Sequence, residues 1–509
     1  MNAAEQLLGR AALARHGERV ALICGAESVR YADLAERVAR AAGALRALGV
    51  APGDRVLLLM RDTPEFAAAW LGAVYMGAVA IALNTRLSEA EYRHVRTDSG
   101  ARLAIVEDVF AWARPDLATE EAGAGGLVIA GPSAGPALSW REAFARAAPA
   151  AAYPARDDDP AFWLYSSGTT GKPKGIVHTH RSVRCAGQGQ RDVVGLAAGE
   201  RSFATSKLFF AYALEHGLLG PLAIGATSVL EPGWPDVEKV LALVAEHRPA
   251  TLFSVPTMYR SLLALGAERL APMRAVRRFV AAGERLPAPL VAQWHAATGG
   301  EILSLYGMSE TFCACLITPP GTSDGARTGK PVAGVEARIL TSAGGEAAAG
   351  ERGELWLRHP ALSLGYANRP EQTAAQFRDG WFCTRDLFVR DAEGFYVHQG
   401  RSDELLKVAG QWVQPGEVEE TVAADPAIAE AACVQVTDAE GAERHALFVT
   451  ARGEAAQALA AAGARAETLP RFKRPKWIRA VDELPRTATG KIQRFKLREL
   501  LEKELAAKT

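Results

Sequence analysis

Between Arg55 and Val106, uninterrupted apolar runs alternate with stretches of helical periodicity, and few folds accommodate that pattern. Residues 32–50 place Leu34, Val38, Ala41, Leu45 and Leu48 at helical spacing, and the Gly49-Val-Ala-Pro-Gly53 cluster stops that helix before the strand-like Arg55-Val-Leu-Leu-Leu-Met60. A helix over 64–76, a strand over 79–83, a helix over 88–98 and a strand over 102–106 follow. Strands apolar on both faces must be covered on both faces, so the pattern predicts parallel sheets sandwiched by helices. The rhythm resumes with Ser228–Leu230, a helix over 236–247, the strand Thr251–Val255, a helix over 257–265 and the strand Val276–Ala281. The Gly/Ala/Glu-rich segment 116–135 is expected to be a surface excursion.

Near residue 326 the texture changes to short alternating strands such as Glu336–Leu340 and Glu354–Arg358, divided by glycines. The expected class is therefore α/β: a large N-terminal domain of stacked αβα sheets over 1–400, with a small β subdomain over about 326–400. The polar, turn-prone Gln399-Gly-Arg-Ser-Asp403 suggests a hinge at 401–403. A smaller, mobile α+β domain over 404–509 then carries helices at 416–424 and 454–464 and the strand Trp477–Val481. Its terminal helix is expected to put Leu497, Leu500, Leu501 and Leu505 on one face. At 509 residues the chain is long enough for several such units.

Lys+Arg and Asp+Glu both number 58, which gives no reason to expect a nucleic acid or an anionic membrane as partner. The uncharged run Phe66–Leu83 approaches transmembrane length, but it is rich in Ala and Gly and changes from helix-like to strand-like, so it reads as a buried helix and a buried strand. Met1–Arg10 has polar residues where an export signal has an apolar core, and a cytoplasmic location is expected. The six scattered cysteines suit reduced thiols, and Cys313-Ala-Cys315 has no second pair or nearby histidines to complete a metal site.

One stretch reads as a phosphate clamp: Tyr165-Ser-Ser-Gly-Thr-Thr-Gly-Lys-Pro-Lys-Gly175. Its glycines let backbone N–H groups approach an anion, its hydroxyls add donors, and Lys172 and Lys174 add charge. It is not the P-loop of nucleotide triphosphatases, because Pro173 stands where that motif needs a metal-binding hydroxyl. The plain alternative is a flexible surface loop.

Four further stretches look chemical. Ala282-Gly-Glu-Arg-Leu-Pro287 follows a strand, where open α/β sheets bind ligands. Leu305-Tyr-Gly-Met-Ser-Glu-Thr311 offers an aromatic face and a carboxylate of the kind magnesium takes when it is bound to phosphates. Trp381-Phe-Cys-Thr-Arg-Asp386 ends on a carboxylate able to accept from both hydroxyls of a ribose. Pro485-Arg-Thr-Ala-Thr-Gly-Lys491 presents one lysine ahead of the terminal helix. Taken singly, each reads equally as a turn, a structural ion pair or a solvated lysine.

Taken in order, with Gly400-Arg-Ser-Asp-Glu-Leu-Leu-Lys407, these motifs resemble the acyl-activating adenylate-forming superfamily of acyl-CoA synthetases, carrier-protein adenylation domains and firefly-type luciferases. The resemblance covers essentially the whole chain. Lys207-Leu-Phe-Phe-Ala-Tyr212, Lys407–Pro415 and Thr487–Arg498 are similar to the benzoate-CoA ligase branch and its 2-aminobenzoate relatives.

The resemblance implies that a carboxylate and ATP form an acyl-adenylate with release of pyrophosphate, and that the thiol of coenzyme A then displaces AMP. It assigns Lys491 as the catalytic lysine and Glu310 as the Mg2+ ligand. Ser309 would meet the α-phosphate, and Ser166, Ser167, Gly168, Thr169, Thr170, Gly171, Lys172 and Lys174 the β- and γ-phosphates. The Gly283, Glu284 and Arg285 backbone and the Leu305-Tyr306-Gly307 stretch would flank adenine, while Asp386 and Arg401 take the ribose. Asp403 would be the hinge about which the small domain turns between the two steps, and Gly410 would leave room for pantetheine.

The same resemblance places Ala211, Tyr212, Ala282, Gly307 and Cys313 around the acid. Phe209 and Phe210 read equally as core. Cys313 stands where benzoate-specific relatives are expected to carry histidine, and Glu215-His216 replaces a smaller pair. These changes favour benzoate or 2-aminobenzoate, with room for an ortho amino or hydroxyl group. His216 reads either as a base or as a helix-surface or structural residue. The alternative to an aryl-acid CoA ligase is a stand-alone enzyme that loads the aryl acid onto a carrier protein; a non-catalytic adenylate sensor would be expected to lack Lys491 or Glu310. A monomer or a homodimer is expected.

Overall fold

A computed structural model describes residues 1–113, 127–130, 138–167, 172–402, 406–408, 411–437, 443–486 and 492–506. The chain divides into two compact units. The first comprises 1–351, 356–384 and 389–398; the second comprises 352–355, 385–388 and 399–509.

Two large sheets organise the first unit. The seven-stranded sheet runs in the order Leu138–Ser139, Leu127–Ala130, Leu103–Glu107, Arg55–Leu59, Val79–Ala82, Pro160–Ser167, Pro173–Thr179. All its neighbours are parallel except the last pair. Leu127–Ala130 corrects the expected surface excursion over 116–135: four apolar residues behind a glycine pair add a strand beside Leu103–Glu107. The rest of that segment, apart from those four residues, lies outside the described residues. The nine-stranded sheet runs in the order Lys330–Pro331, Leu316–Ile317, Ile302–Tyr306, Arg278–Ala281, Thr251–Ser254, Arg201–Ala204, Thr227–Leu230, Val20–Cys24, Glu27–Arg30.

Alternation along the strands builds the layers. Val56 and Leu58 face a core shared with Leu34, Val38, Phe66 and Trp70, whereas Leu57 and Leu59 face Tyr92 and Val95 of the helix Glu89–Ser99. The first core continues into Leu214, Leu218 and Leu222, so a helical layer lies between the sheets. The far face of the nine-stranded sheet packs Phe203, Leu252, Phe279 and Ile302 on Val244, Tyr259 and Trp294. The result is an αβαβα stack. Within it the run Phe66–Leu83 forms the buried helix Pro64–Tyr75 and the strand Val79–Ala82. A Cβ on Gly72 would lie 2.6 Å from the Cβ of Ala41, so the small residues of this run serve close helix packing. No described helix is long and apolar enough to cross a membrane.

Short strands form a five-stranded sheet that includes Glu336–Leu340, Arg352–Arg358 and Trp381–Arg390. In the second unit, Ile428–Thr437 pairs antiparallel with Glu443–Ala451, which pairs parallel with Trp477–Ala480. One face packs Cys433, Leu447 and Val449 on Val418, Val422, Ala458 and Ala462; the other packs Ala432, Val434 and Phe448 on Leu484, Leu497 and Leu501. Leu500 is 52% exposed, which corrects its place on the buried face. At 100° per residue, 497, 501 and 505 drift along one stripe while 500 falls about 100° from its centre.

Candidate functional site

The parallel strands Arg201–Ala204, Thr251–Ser254, Arg278–Ala281 and Ile302–Tyr306 are aligned so that their C-terminal ends share one edge, with Ala204 opposite Phe253, Ser254 opposite Ala281, and Ala281 opposite Ser304. The turns leaving those ends carry most of the candidate residues. Ala282 is buried, and Gly283 turns the chain at φ +87°, a conformation suited to glycine. Glu284 and Arg285 are exposed, and the Glu284 carboxylate accepts from Thr257 Oγ1 at 2.9 Å. Leu305 is buried, Tyr306 is half-buried with its ring 6.4 Å from that of His398, and Gly307 is exposed.

The hairpin of strands Pro160–Ser167 and Pro173–Thr179 reaches this edge from the other sheet. Its register sets Ser166 opposite Lys174 and Ser167 opposite Pro173. Lys174 Nζ lies 3.4 Å from Glu310 Oε1 and 3.7 Å from the ring centroid of Tyr366. The Tyr366 hydroxyl donates to the same Glu310 oxygen at 2.8 Å and approaches Gln376 Oε1 at 2.5 Å. Glu310 is only 7% exposed, so its charge is neutralised by the lysine and oriented by the phenol. Lys172 is exposed. The backbone carbonyl of Ser309 meets His178 Nε2 at 2.7 Å, and burial holds that imidazole down to about 4, so it stays neutral and donates.

Phe312, between Glu310 and Cys313, adopts φ +57° although it is not glycine, and Arg385, just before Asp386, adopts φ +63°. Such conformations cost about 1–3 kcal/mol and gather where surrounding structure imposes them for function. In the second unit Asp386 is 5% exposed, with Arg401 Nη1 3.4 Å from its Oδ1.

Around the residues expected to line the acid, the Tyr212 hydroxyl donates towards the carbonyls of Ser254 and Val280, each at 3.2 Å, and the residue as a whole is half-buried, its ring packed on His216 and Phe253. Ala211 begins the helix Ala211–Leu214, which continues through a π-turn over Glu215–Leu219. Cys313 is buried, and burial raises its thiol well above the ordinary range. Its carbonyl would lie 3.2 Å from a Cβ on Gly307. Phe209 belongs to the core and packs on Phe210 and Trp234. His216 is 1% exposed, which rules out the helix-surface reading; its Nδ1 meets the Tyr212 carbonyl at 2.8 Å.

The structure thus brings Ser166, Lys174, Ser309 and Glu310 together, and sets Ala282–Arg285 and Leu305–Gly307 on one sheet edge. Gly168, Thr169, Thr170, Gly171, Asp403, Gly410 and Lys491 lie outside the described residues. Sequence reasoning missed Tyr366, Gln376 and His178. A lone Gly365-Tyr366 pair carries no spacing signal, and the tie to Glu310 spans 56 residues. It also gave Lys207 no role. Lys207 is 2% exposed, pairs with Asp62 at 2.9 Å and donates to the carbonyls of Glu231 and Gly233, pinning the segment that leads to Ala211.

No group of three potential metal ligands occurs among the described residues. A single buried carboxylate beside a lysine-bearing hairpin nevertheless fits magnesium, which binds through one or two carboxylates together with substrate phosphates.

A doubly layered α/β body whose lysine-bearing hairpin faces a carboxylate at the strand ends fits an adenylate-forming enzyme, and the chain belongs to the AMP-binding enzyme family: residues 9–367 match the AMP-binding enzyme profile and 417–491 match the AMP-binding enzyme C-terminal domain. It is 42% identical over 513 residues to a 3-hydroxybenzoate–CoA/4-hydroxybenzoate–CoA ligase of Thauera aromatica, covering 99% of this chain and 98% of that one. It is 40% identical to a benzoate–CoA ligase of the same organism, covering 98% and 95%. Among solved structures, the anthranilate CoA ligase AuaEII in complex with anthranoyl-AMP superposes with a TM-score of 0.89 at 33% identity, covering 99% of this chain and 98% of that one.

Proposed function

We propose that this protein is an ATP-dependent aryl-acid CoA ligase of the benzoate, hydroxybenzoate and aminobenzoate class. The observation that carries this reading is Lys174, on the clamp hairpin, set 3.4 Å from the buried Glu310 at the ends of the parallel strands. Relatives covering nearly the whole chain at 40–42% identity are named as ligases of benzoate and hydroxybenzoate, and they support the acid class.

In the first step a carboxylate oxygen of the acid bonds to the α-phosphorus of ATP and the bond to the β-phosphate breaks, releasing pyrophosphate. Two anions must meet, so neutralisation of charge limits the rate. Lys174 and Lys172, with Ser166, Ser167, Gly168, Thr169, Thr170 and Gly171, hold the β- and γ-phosphates; Ser309 holds the α-phosphate; Lys491 bridges carboxylate and phosphate. Glu310 holds magnesium, which supplies further charge neutralisation on the phosphates. Gly283, Glu284, Arg285, Leu305, Tyr306 and Gly307 flank adenine, and Asp386 and Arg401 take the ribose hydroxyls. In the second step the sulfur of coenzyme A attacks the acyl carbon, the bond to AMP breaks, and the thiol proton is lost. Asp403, in a hinge over 401–403, lets the domain from 404 onward exchange Lys491 for the Gly410 segment between steps, Gly410 leaving room for pantetheine. The protein acts in the cytoplasm.

Pyrophosphate release measured over substituted benzoates and hexanoate, with coenzyme A or a carrier protein as acceptor, tests this reading. AMP and an aryl-CoA thioester are expected. Hexanoate outrunning every benzoate, or acyl transfer to carrier protein alone, would overturn it.

A further inference from the structure

Glu215 is a carboxyl that the two reaction steps do not use, and it is 1% exposed. It lies four residues after Ala211, hence about one helical turn deeper on the same face, while His216 lies likewise beneath Tyr212, with ring centroids 4.9 Å apart. Its Oε2 accepts from the backbone N–H of Ala314 at 3.1 Å and lies 3.3 Å from His216 Nδ1; the Gly187 N–H and the Cys313 thiol also face the carboxyl. Ala314 and Cys313 are the residues whose backbone would meet a side chain on Gly307. Glu215 therefore joins the helix that carries Ala211 and Tyr212 to the segment behind Gly307, on the buried side of the half-buried Ala211 and Tyr212. A second observation points to a ligand: His216 Nε2 is buried with no hydrogen-bond partner among the described residues. A π-turn at this point re-aims side chains and recurs at functional sites.

We propose that Glu215 is a specificity-determining residue that accepts a hydrogen bond from a hydroxyl or amino group on the aryl acid, at the 3- or 4-position remote from the carboxylate. This rests on the aryl-acid reading above and sharpens it, because the ortho position would lie nearer the strand ends. Burial raises the Glu215 carboxyl to about 8 even with these donors facing it, so the protein alone does not offset the cost of desolvating it, which favours a substrate that brings a further donor. A strut that merely tied the helix to Ala314 would affect all acids alike.

The test compares kcat/KM of pyrophosphate release for benzoate and for its 2-, 3- and 4-hydroxy, amino and methyl derivatives, in the wild type and in Glu215→Met. The wild type is expected to favour the best 3- or 4-hydroxy or amino acid over its methyl analogue by at least tenfold, since an unmet buried acceptor penalises the analogue. Glu215→Met is expected to collapse that ratio at least tenfold, whatever its absolute activity. Methyl analogues equal to the hydroxy and amino acids, preference for 2-substituted acids, or an unchanged ratio in the variant would each overturn the assignment, and the wild-type series stands even if the variant does not fold. Pyrophosphate release with no aryl acid at all would instead remove the aryl-acid reading itself.

Discussion

Tyr366 is the residue on which the orientation of Glu310 turns. The carboxylate has one lysine partner at 3.4 Å and one phenol donor at 2.8 Å on the same oxygen. A hydrogen bond to a charged group contributes roughly 1.5–3 kcal/mol. Tyr366→Phe is therefore expected to lower kcat/KM for adenylation about tenfold or more and to raise the magnesium concentration needed for half-maximal rate, read by pyrophosphate release across a magnesium series. Lys491→Ala is expected to abolish adenylation while still converting supplied acyl-adenylate and coenzyme A to thioester; equal loss of both half-reactions would sink the division of labour between the steps. The hairpin that carries Lys174, the buried Glu310 and the buried Asp386 stood out in the sequence because each sits in a short motif rich in polar residues, and the structure pairs Lys174 with Glu310 and Arg401 with Asp386. Tyr366, His178 and Lys207 act through contacts between distant segments, and no local pattern announces them.

At the level of elements, the terminal helix Arg494–Ala506 separates two leucines that periodicity alone had grouped. Leu501 is fully buried against Val434 and Phe448, while Leu500 is 52% exposed. Leu501→Ala should destabilise the protein by about 2–5 kcal/mol and Leu500→Ala by less than about 0.5 kcal/mol, measured by urea unfolding. Strands and helices flanked by glycine or proline were readable to within a few residues: the helix expected over 236–247 is Val237–His247, capped by Asp236. Val20–Cys24 and Glu27–Arg30 were not placed in advance, because the first pairs with Thr227–Leu230, two hundred residues on, and joins the edge of a sheet that the first β/α units do not build. Leu127–Ala130 was hidden because four apolar residues in a glycine-rich setting look like a loop.

Across the whole molecule, buried titratable groups set a pH profile. Burial lowers His178, His180 and His359 to about 4 and His216 to about 3, from an ordinary 6.5. The unfolded chain therefore binds more protons than the folded one as pH falls from 6.5 towards 4, and stability is lost over that range. Asp62, raised to about 6, and Glu215, raised to about 8, work oppositely: their contribution is complete below the ordinary carboxyl range and is lost as pH climbs through those values. Four histidines outweigh two carboxyls below 6.5, so thermal unfolding should show its highest midpoint near neutral pH, with a steep acid limb and a shallow alkaline limb ending near 8. Glu215→Gln should flatten the alkaline limb and leave the acid limb in place; a profile insensitive to that change would contradict the burial of this carboxyl.

The pairing of Ser166 with Lys174 across the clamp hairpin makes the aim of that lysine a matter of odd and even. Adding residues between 168 and 171 lengthens the connection without altering which face Lys174 occupies. Adding one residue after Lys174 would instead move that lysine into the place of Pro173, on the opposite face and away from Glu310, while keeping every side chain of the motif in the sequence. A chain can thus keep every residue of the motif and lose the Lys174–Glu310 contact through a change of parity alone.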